Sequence, residues 1–174
     1  MHQKKLIILI GPNGVGKTTI GSYLEKYLGM HFLRIEEFWL SRYETIEDIY
    51  AALEEAYELF ESHLHSEMPK TNKTVVFEAG GRNEYALRMI LKLEKAYDAI
   101  LVKVSAEYDT CLKRVLSRGT KSNFPKDEAY VQKCHSEFKD IYQHKYDFRF
   151  EIINNDGVTH NEIIDIFRTQ LSNL

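Results

Sequence analysis

Leu6-Ile-Ile-Leu-Ile10-Gly11-Pro-Asn-Gly14-Val-Gly16-Lys17-Thr18-Thr19 is the stretch whose reading decides the fold. Five apolar residues in a row read as a strand buried on both faces, as in the interior of a parallel sheet. The next eight satisfy G-x-x-x-x-G-K-[ST] and lead into Ile20, Tyr23, Leu24, Tyr27 and Leu28 at helical spacing. A strand, a glycine-rich turn and a helix in that order form the context in which this pattern binds phosphate. Glycines let successive backbone N–H groups point inward as an anion nest, and the helix N-terminus adds its positive dipole. Lys17 reaches the β- and γ-phosphates and Thr18 offers a hydroxyl to Mg²⁺. Gly11, Asn13, Gly14, Val15, Gly16, Lys17, Thr18 and Thr19 are therefore the expected nucleotide-binding residues, with ATP and Mg²⁺ as the implied cofactors.

Outward from this loop, short apolar runs alternate with segments of helical period. Strands are expected over 5–10, 31–35, 74–77, 99–104 and 149–153. Residues 46–64 place Ile46, Ile49, Tyr50, Leu53, Tyr57, Phe60 and Leu64 on one face of a single helix, with Glu47, Glu54, Glu55, Glu58 and Glu61 elsewhere around it. Thr159 and Glu162 have the spacing of a capping box opening a last helix that carries Ile163, Ile164, Phe167 and Leu171. Strand–helix alternation implies an α/β domain with a parallel sheet covered on both faces, and ligands of such sheets bind beyond the carboxyl ends of the strands.

The chain has 174 residues and a formal net charge of −3, enough for one domain and without a basic stretch for nucleic acid or a membrane surface. The apolar run before Gly11 is far shorter than the roughly 20 residues of a membrane span, and neither cysteine belongs to a C-x-x-C pair. A cytoplasmic protein, monomeric or homodimeric, fits this composition.

The sequence resembles the small P-loop kinases of metabolites and nucleotides: nucleoside monophosphate kinases, shikimate and gluconate kinases, and deoxynucleoside kinases. Beyond the loop, the resemblance rests on Arg34-Ile-Glu36-Glu37 after the second strand and Phe77-Glu78-Ala-Gly80-Gly81-Arg82 after the third. It rests also on Arg114-Val-Leu-Ser-Arg118 and, near the end, on Tyr146-Asp-Phe and Asn154-Asn155-Asp156. It implies a P-loop NTPase three-layer fold with a five-stranded parallel sheet in the order 2-3-1-4-5, an acceptor-binding region over about 36–70 and a small lid over about 117–127, all within one kinase domain spanning 1–174.

The resemblance also implies roles. Arg114 lies against the adenine and Arg118 meets the transferred phosphate, with Lys121 nearby; Asn154 and Asn155 either border the base or form the turn that opens the last helix. Glu78 stands where a carboxylate draws a proton from an acceptor hydroxyl or holds Mg²⁺, so Lys17, Glu78 and Arg118 are the expected catalytic residues and Thr18 and Glu78 the metal site. Arg42 and Arg82 occupy positions that hold an anionic acceptor, and Glu36 one that accepts hydrogen bonds from substrate hydroxyls. Arg34 replaces the first acid of the shikimate kinase pair, a departure that argues against a strict shikimate kinase. Trp39, Phe38 and Tyr43 either stack on a planar acceptor or pack in the core.

The expected activity is transfer of the γ-phosphoryl group to a nucleoside-like or hydroxylated small molecule. A nucleoside monophosphate kinase is the nearest alternative, since the Tyr146-Asp-Phe to Asn154-Asn155-Asp156 ending is similar to guanylate kinase. A nucleotide-dependent switch is the other, although Asn72-Lys73 lacks the rest of an Asn-Lys-x-Asp motif. An acidic helix flanking the acceptor side disfavours a nucleic-acid substrate.

Overall fold

The computed structural model describes residues 5–118 and 127–172. Five parallel strands, β1 (Leu6–Ile10), β2 (His31–Leu33), β3 (Val75–Ala79), β4 (Ile100–Ser105) and β5 (Phe150–Ile153), form one sheet in the order β2-β3-β1-β4-β5. The central strand β1 sends its side chains alternately to two cores, as period-2 geometry requires. Leu6, Ile8 and Ile10 pack with Phe60, Leu64, Phe77 and Ile90, whereas Ile7 and Leu9 pack with Ile20, Leu24, Val102 and Phe167. Register places Ile8 opposite Phe77 on one side and Leu101 on the other.

Helices α1 (Lys17–Leu28) and α8 (His160–Ser172) cover the second core. The first lies under α2 (Ile35–Leu40), α3 (Ile46–Ala51), α4 (Leu53–Glu67) and α5 (Glu84–Tyr97). Helices α6 (Tyr108–Leu116) and α7 (Glu128–Glu137) follow β4, and α7 runs on into a π turn over Phe138–Tyr142. The expected capping box opens α8: Thr159 N–H donates to Glu162 Oε2 at 2.8 Å and Glu162 N–H to Thr159 Oγ1 at 3.3 Å.

Two sequence expectations are corrected. The second strand stops at Leu33, because Arg34 acts as an extended N-cap and Ile35, Phe38 and Trp39, spaced i, i+3 and i+4, bury one face of α2 instead. The single helix over 46–64 is two. Thr45 and Asp48 form a capping box that starts α3, and Ala52 leaves the helical region at φ −118°, ψ 36° before α4 begins. Within α3, Ile46 and Ile49 are buried in the core and Tyr50 is exposed, and Trp39 Nε1 donates to Ala56 O at 2.8 Å in α4.

The expected lid falls largely on 119–126, outside the described residues, as does Lys121. Among the described residues no helix is long and apolar enough to cross a membrane. Cys111 and Cys134 are both buried free thiols.

Candidate active site

The loop between β1 and α1 is a close-packed turn. Gly14 and Gly16 have φ of 87° and 90°, left-handed backbone that glycine adopts without strain. A Cβ on Gly14 would lie 2.6 Å from the carbonyl oxygen of Cys111, so this glycine also lets α6 approach the loop. Val15 is fully buried in the second core. Asn154, one of two buried polar residues among those described, donates from Nδ2 to Val15 O at 2.8 Å. Arg114 Nη1 donates to Asn154 O at 2.8 Å and to Gly14 O at 3.4 Å, and Nη2 to Asp156 Oδ1 at 3.2 Å. Asn155 Oδ1 accepts from Glu107 N–H at 2.8 Å and so caps α6. The loop is thus stapled to the end of β5 by side chains from α6 and from residues 154–156.

Inside the loop, Lys17 Nζ donates to Gly11 O at 2.7 Å and to Pro12 O at 3.0 Å. Burial drives the ammonium down from its ordinary value to about 8; the Glu78 carboxylate opposes the shift, and Arg118 and Arg82 reinforce it. Thr18 Oγ1 donates to Glu78, 2.8 Å from Oε1 and 2.9 Å from Oε2, so the first turn of α1 meets the end of β3 across the sheet. Thr19 points to solvent on the same turn. His135 on α7 stands behind the loop with Nε2 2.9 Å from Asn13 O, and burial lowers its pKa, so the neutral imidazole donates there.

From this loop a cleft opens over the carboxyl ends of β1 and β3. Asn13, Gly14, Gly16, Lys17 and Thr18 line one end together with Glu78 and Arg118. Ile35, Trp39, Ile49, Tyr50, Leu53 and Tyr57 make the other end apolar and aromatic, with Glu36, Arg82, Asn83 and Tyr130 supplying the polar groups there. Of the two expected acceptor arginines, the fold brings Arg82 to the cleft. It turns Arg42 away: that guanidinium lies 3.7 Å from the centre of the Phe38 ring and donates to Ser41 Oγ at 2.9 Å. Trp39 lines the cleft, whereas Phe38 and Tyr43 belong to the core.

Tyr130, Tyr57 and Asn83 were not among the residues expected at the site, and Glu137, one step behind it, was missed with them. Asn83 is the N-cap of α5 and Asp127 that of α7, which fixes the first turn in which Tyr130 stands. Cap spacing alone could have found the two helix starts. Their convergence on the cleft is a tertiary fact without a local signal.

Comparison with known families and structures accords with this geometry. The family described as an AAA domain matches residues 7–145. Shikimate kinase from Acinetobacter baumannii, solved with shikimate, superposes with a TM-score of 0.71 at 22% identity, covering 98% of this chain and 94% of that one. Gluconokinase from Sinorhizobium meliloti gives 0.64 at 14% identity over 99% and 94% of the two chains. Deoxyadenosine kinase from M. mycoides, with bound dCTP, gives 0.58 at 16% identity over 97% and 100%. No curated protein matches the sequence. The fold is that of the small P-loop kinases, in the expected strand order, and with the family matched over most of its length the chain belongs to the AAA domain family.

Proposed function

We propose that this protein is an ATP-dependent kinase that transfers the γ-phosphoryl group to a hydroxyl of a nucleoside-like or otherwise hydroxylated small molecule. The observation that carries this reading is the continuity of one cleft from the phosphate loop, past Glu78, to an aromatic chamber with its own polar groups. A switch protein needs the first end and has no use for the second.

The amides of Gly14, Gly16 and their neighbours cradle the donor phosphates, and Lys17 leaves its carbonyl partners for them. Thr18 and Glu78 fit a Mg²⁺ ion, because a hydroxyl and a carboxylate, both hard oxygen donors, already converge beside the loop. Bound there, Mg²⁺ supplies charge neutralisation and alignment of the phosphate oxygens. Arg118, at the end of α6 and lining the cleft, brings positive charge to the group in flight. On the acceptor side Trp39, Tyr57 and Leu53 form an apolar wall that limits the water beside a bound acceptor. Glu36 offers a carboxylate to the acceptor's hydroxyls. Arg114, pinned to the 154–156 segment, borders the base together with Asn155.

The contact with Thr18 supports a role for Glu78 on the metal side of the reaction in preference to that of a free general base. Phosphoryl transfer through a loose transition state tolerates that assignment, since positioning and electrostatics do most of the work. The placement of Arg42 on Phe38 leaves a nucleoside monophosphate with one of the two arginines such an acceptor was expected to need. The kinase activities of the structural relatives support a small-molecule acceptor over a macromolecular one.

Incubation with Mg-ATP and a panel of nucleosides, nucleoside monophosphates, shikimate and gluconate, followed by mass spectrometry, tests the proposal. One hydroxyl compound gaining a phosphoryl group is the expected result; modification of monophosphates alone would transfer the assignment to a nucleotide kinase.

A further inference from the structure

Among the described residues Arg82 and Arg118 are the arginines that line the cleft; Arg82 stands at the acceptor end, where each of its terminal nitrogens already donates one hydrogen bond. Nη1 donates to Glu137 Oε2 at 2.9 Å, and Nη2 donates to Tyr130 Oη at 2.9 Å. The guanidinium carbon lies 5.4 Å from the centre of the Tyr130 ring. The two members of the ion pair are 18% and 28% exposed, so this is a largely desolvated, charge-assisted contact. Tyr130 Oη in turn lies 2.9 Å from Tyr50 Oη. The chain Glu137–Arg82–Tyr130–Tyr50 therefore links α7, the turn after β3 and α3 across the cleft.

An incoming carboxylate or phosphate that binds Arg82 either displaces Glu137 or settles beside its carboxylate on the remaining N–H groups. The displaced carboxylate would keep the exposed Lys133, one turn away on the same helix at 3.8 Å, and would remain next to the newcomer's negative charge. Either course places a second negative charge beside Glu137 in a largely shielded site, and that repulsion offsets what the anion gains from Arg82. An uncharged acceptor leaves the pair intact. It meets Trp39, Tyr57, Ile35 and Leu53 as an apolar surface, and Asn83 and Glu36 as hydrogen-bonding groups.

We infer that Glu137 is a specificity-determining positioning residue: by neutralising Arg82 it selects an uncharged, ring-bearing hydroxyl compound and rejects the carboxylate- or phosphate-bearing counterpart. The inference rests on the proposed kinase reading, whose acceptor chamber it concerns. It differs from the sequence expectation, which assigned Arg82 to an anion.

Trp39 is the chain's single tryptophan and lines the cleft, so its emission reports occupancy without turnover. The full chain, saturated with ADP and Mg²⁺, is titrated with matched pairs: each common nucleoside against its 5′-monophosphate, and shikimate methyl ester against shikimate. For the tightest-binding pair, the neutral member is expected to bind at least tenfold more tightly. Glu137→Gln is expected to reduce that ratio at least tenfold by gaining affinity for the anion, and Glu137→Asp to retain most of it. Tyr130→Phe, which keeps the ion pair, is a second variant expected to preserve the neutral preference.

An anionic member bound as tightly as its neutral partner by the wild type overturns the inference. So does an unchanged ratio in Glu137→Gln, or an emission that no member of the panel alters. ADP formation with the same compounds separates the two readings. Neutral preference in the titration without phosphoryl transfer sinks the kinase reading alone, whereas transfer to an anionic acceptor upholds the kinase reading and sinks this one.

Discussion

The two ends of the cleft are built from different materials. The donor end is backbone: glycines in left-handed conformations, a helix N-terminus, and a lysine held by carbonyl oxygens of its own loop. The acceptor end is side chain: aromatic rings from α2, α3 and α4 and a four-residue hydrogen-bond chain drawn from three separate parts of the sequence. A backbone site needs certain residues at fixed offsets, because only they permit the turn, and binds any ligand with the same phosphates. A side-chain site can be rebuilt one residue at a time, which suits the end proposed to choose the substrate.

If that division is right, substitutions at the donor end remove function outright and those at the acceptor end redirect or trim it. Lys17→Ala should lower the rate of phosphoryl transfer by about 10³-fold, the scale of removing one preorganised charge at the reacting group, measured as ADP formed per minute at saturating acceptor. Gly14→Ala combines positive φ with a Cβ 2.6 Å from the Cys111 carbonyl oxygen, in direct contact with α6 backbone. It should destabilise the fold by about 3 kcal/mol or more, visible in urea unfolding; a stability equal to wild type would show that the loop is not close-packed against α6.

Glu78→Gln sharpens the comparison where the two ends meet. If Thr18 and Glu78 hold the metal, the Mg²⁺ concentration for half-maximal rate should rise by about 10- to 100-fold, while transfer at saturating Mg²⁺ falls much less. Lys17 gives a pH signature confined to the donor end. Its free ammonium loses the proton as pH rises through about 8, and bound phosphates hold the proton on. Nucleotide binding therefore takes up a proton above that pH, and affinity for ADP should fall about tenfold between pH 7 and 9. Calorimetry in buffers of different ionisation enthalpy would detect the uptake; affinity flat across this range would contradict it. At the acceptor end, Tyr50→Phe removes one hydroxyl contact with Tyr130 and should change stability by only about 0.5–1.5 kcal/mol, with nucleotide affinity unaltered.

The same division explains what could be read from the sequence. The strand, turn and helix around residues 11–18 are legible in the sequence, since their signals are local, and the strands lie within about two residues of where they are expected because buried parallel strands are near-continuous apolar runs. The strand order came from resemblance and is observed. Ile35 was misplaced because the last apolar residue of a strand and the first of a helix look alike without their neighbours. The break at Ala52 leaves little trace in the sequence, because the apolar period runs through it and only the Thr45 cap marks a separate start. Arg42 and Arg82 were indistinguishable as sequence; one stacks on Phe38 and the other meets Glu137, 55 residues away along the chain. No spacing rule reports a partner at that separation.

The central claim is that the cleft joins a phosphate donor to a hydroxyl acceptor. Its most direct test is the rate of ADP release from Mg-ATP by the wild-type chain and by Lys17→Ala, each with and without the best neutral acceptor from the titration. The account predicts a rate that rises with acceptor in the wild type, one phosphorylated acceptor for each ADP formed, and no rise in Lys17→Ala. Release of ADP that is indifferent to acceptor, with free phosphate as its only other product, would contradict it.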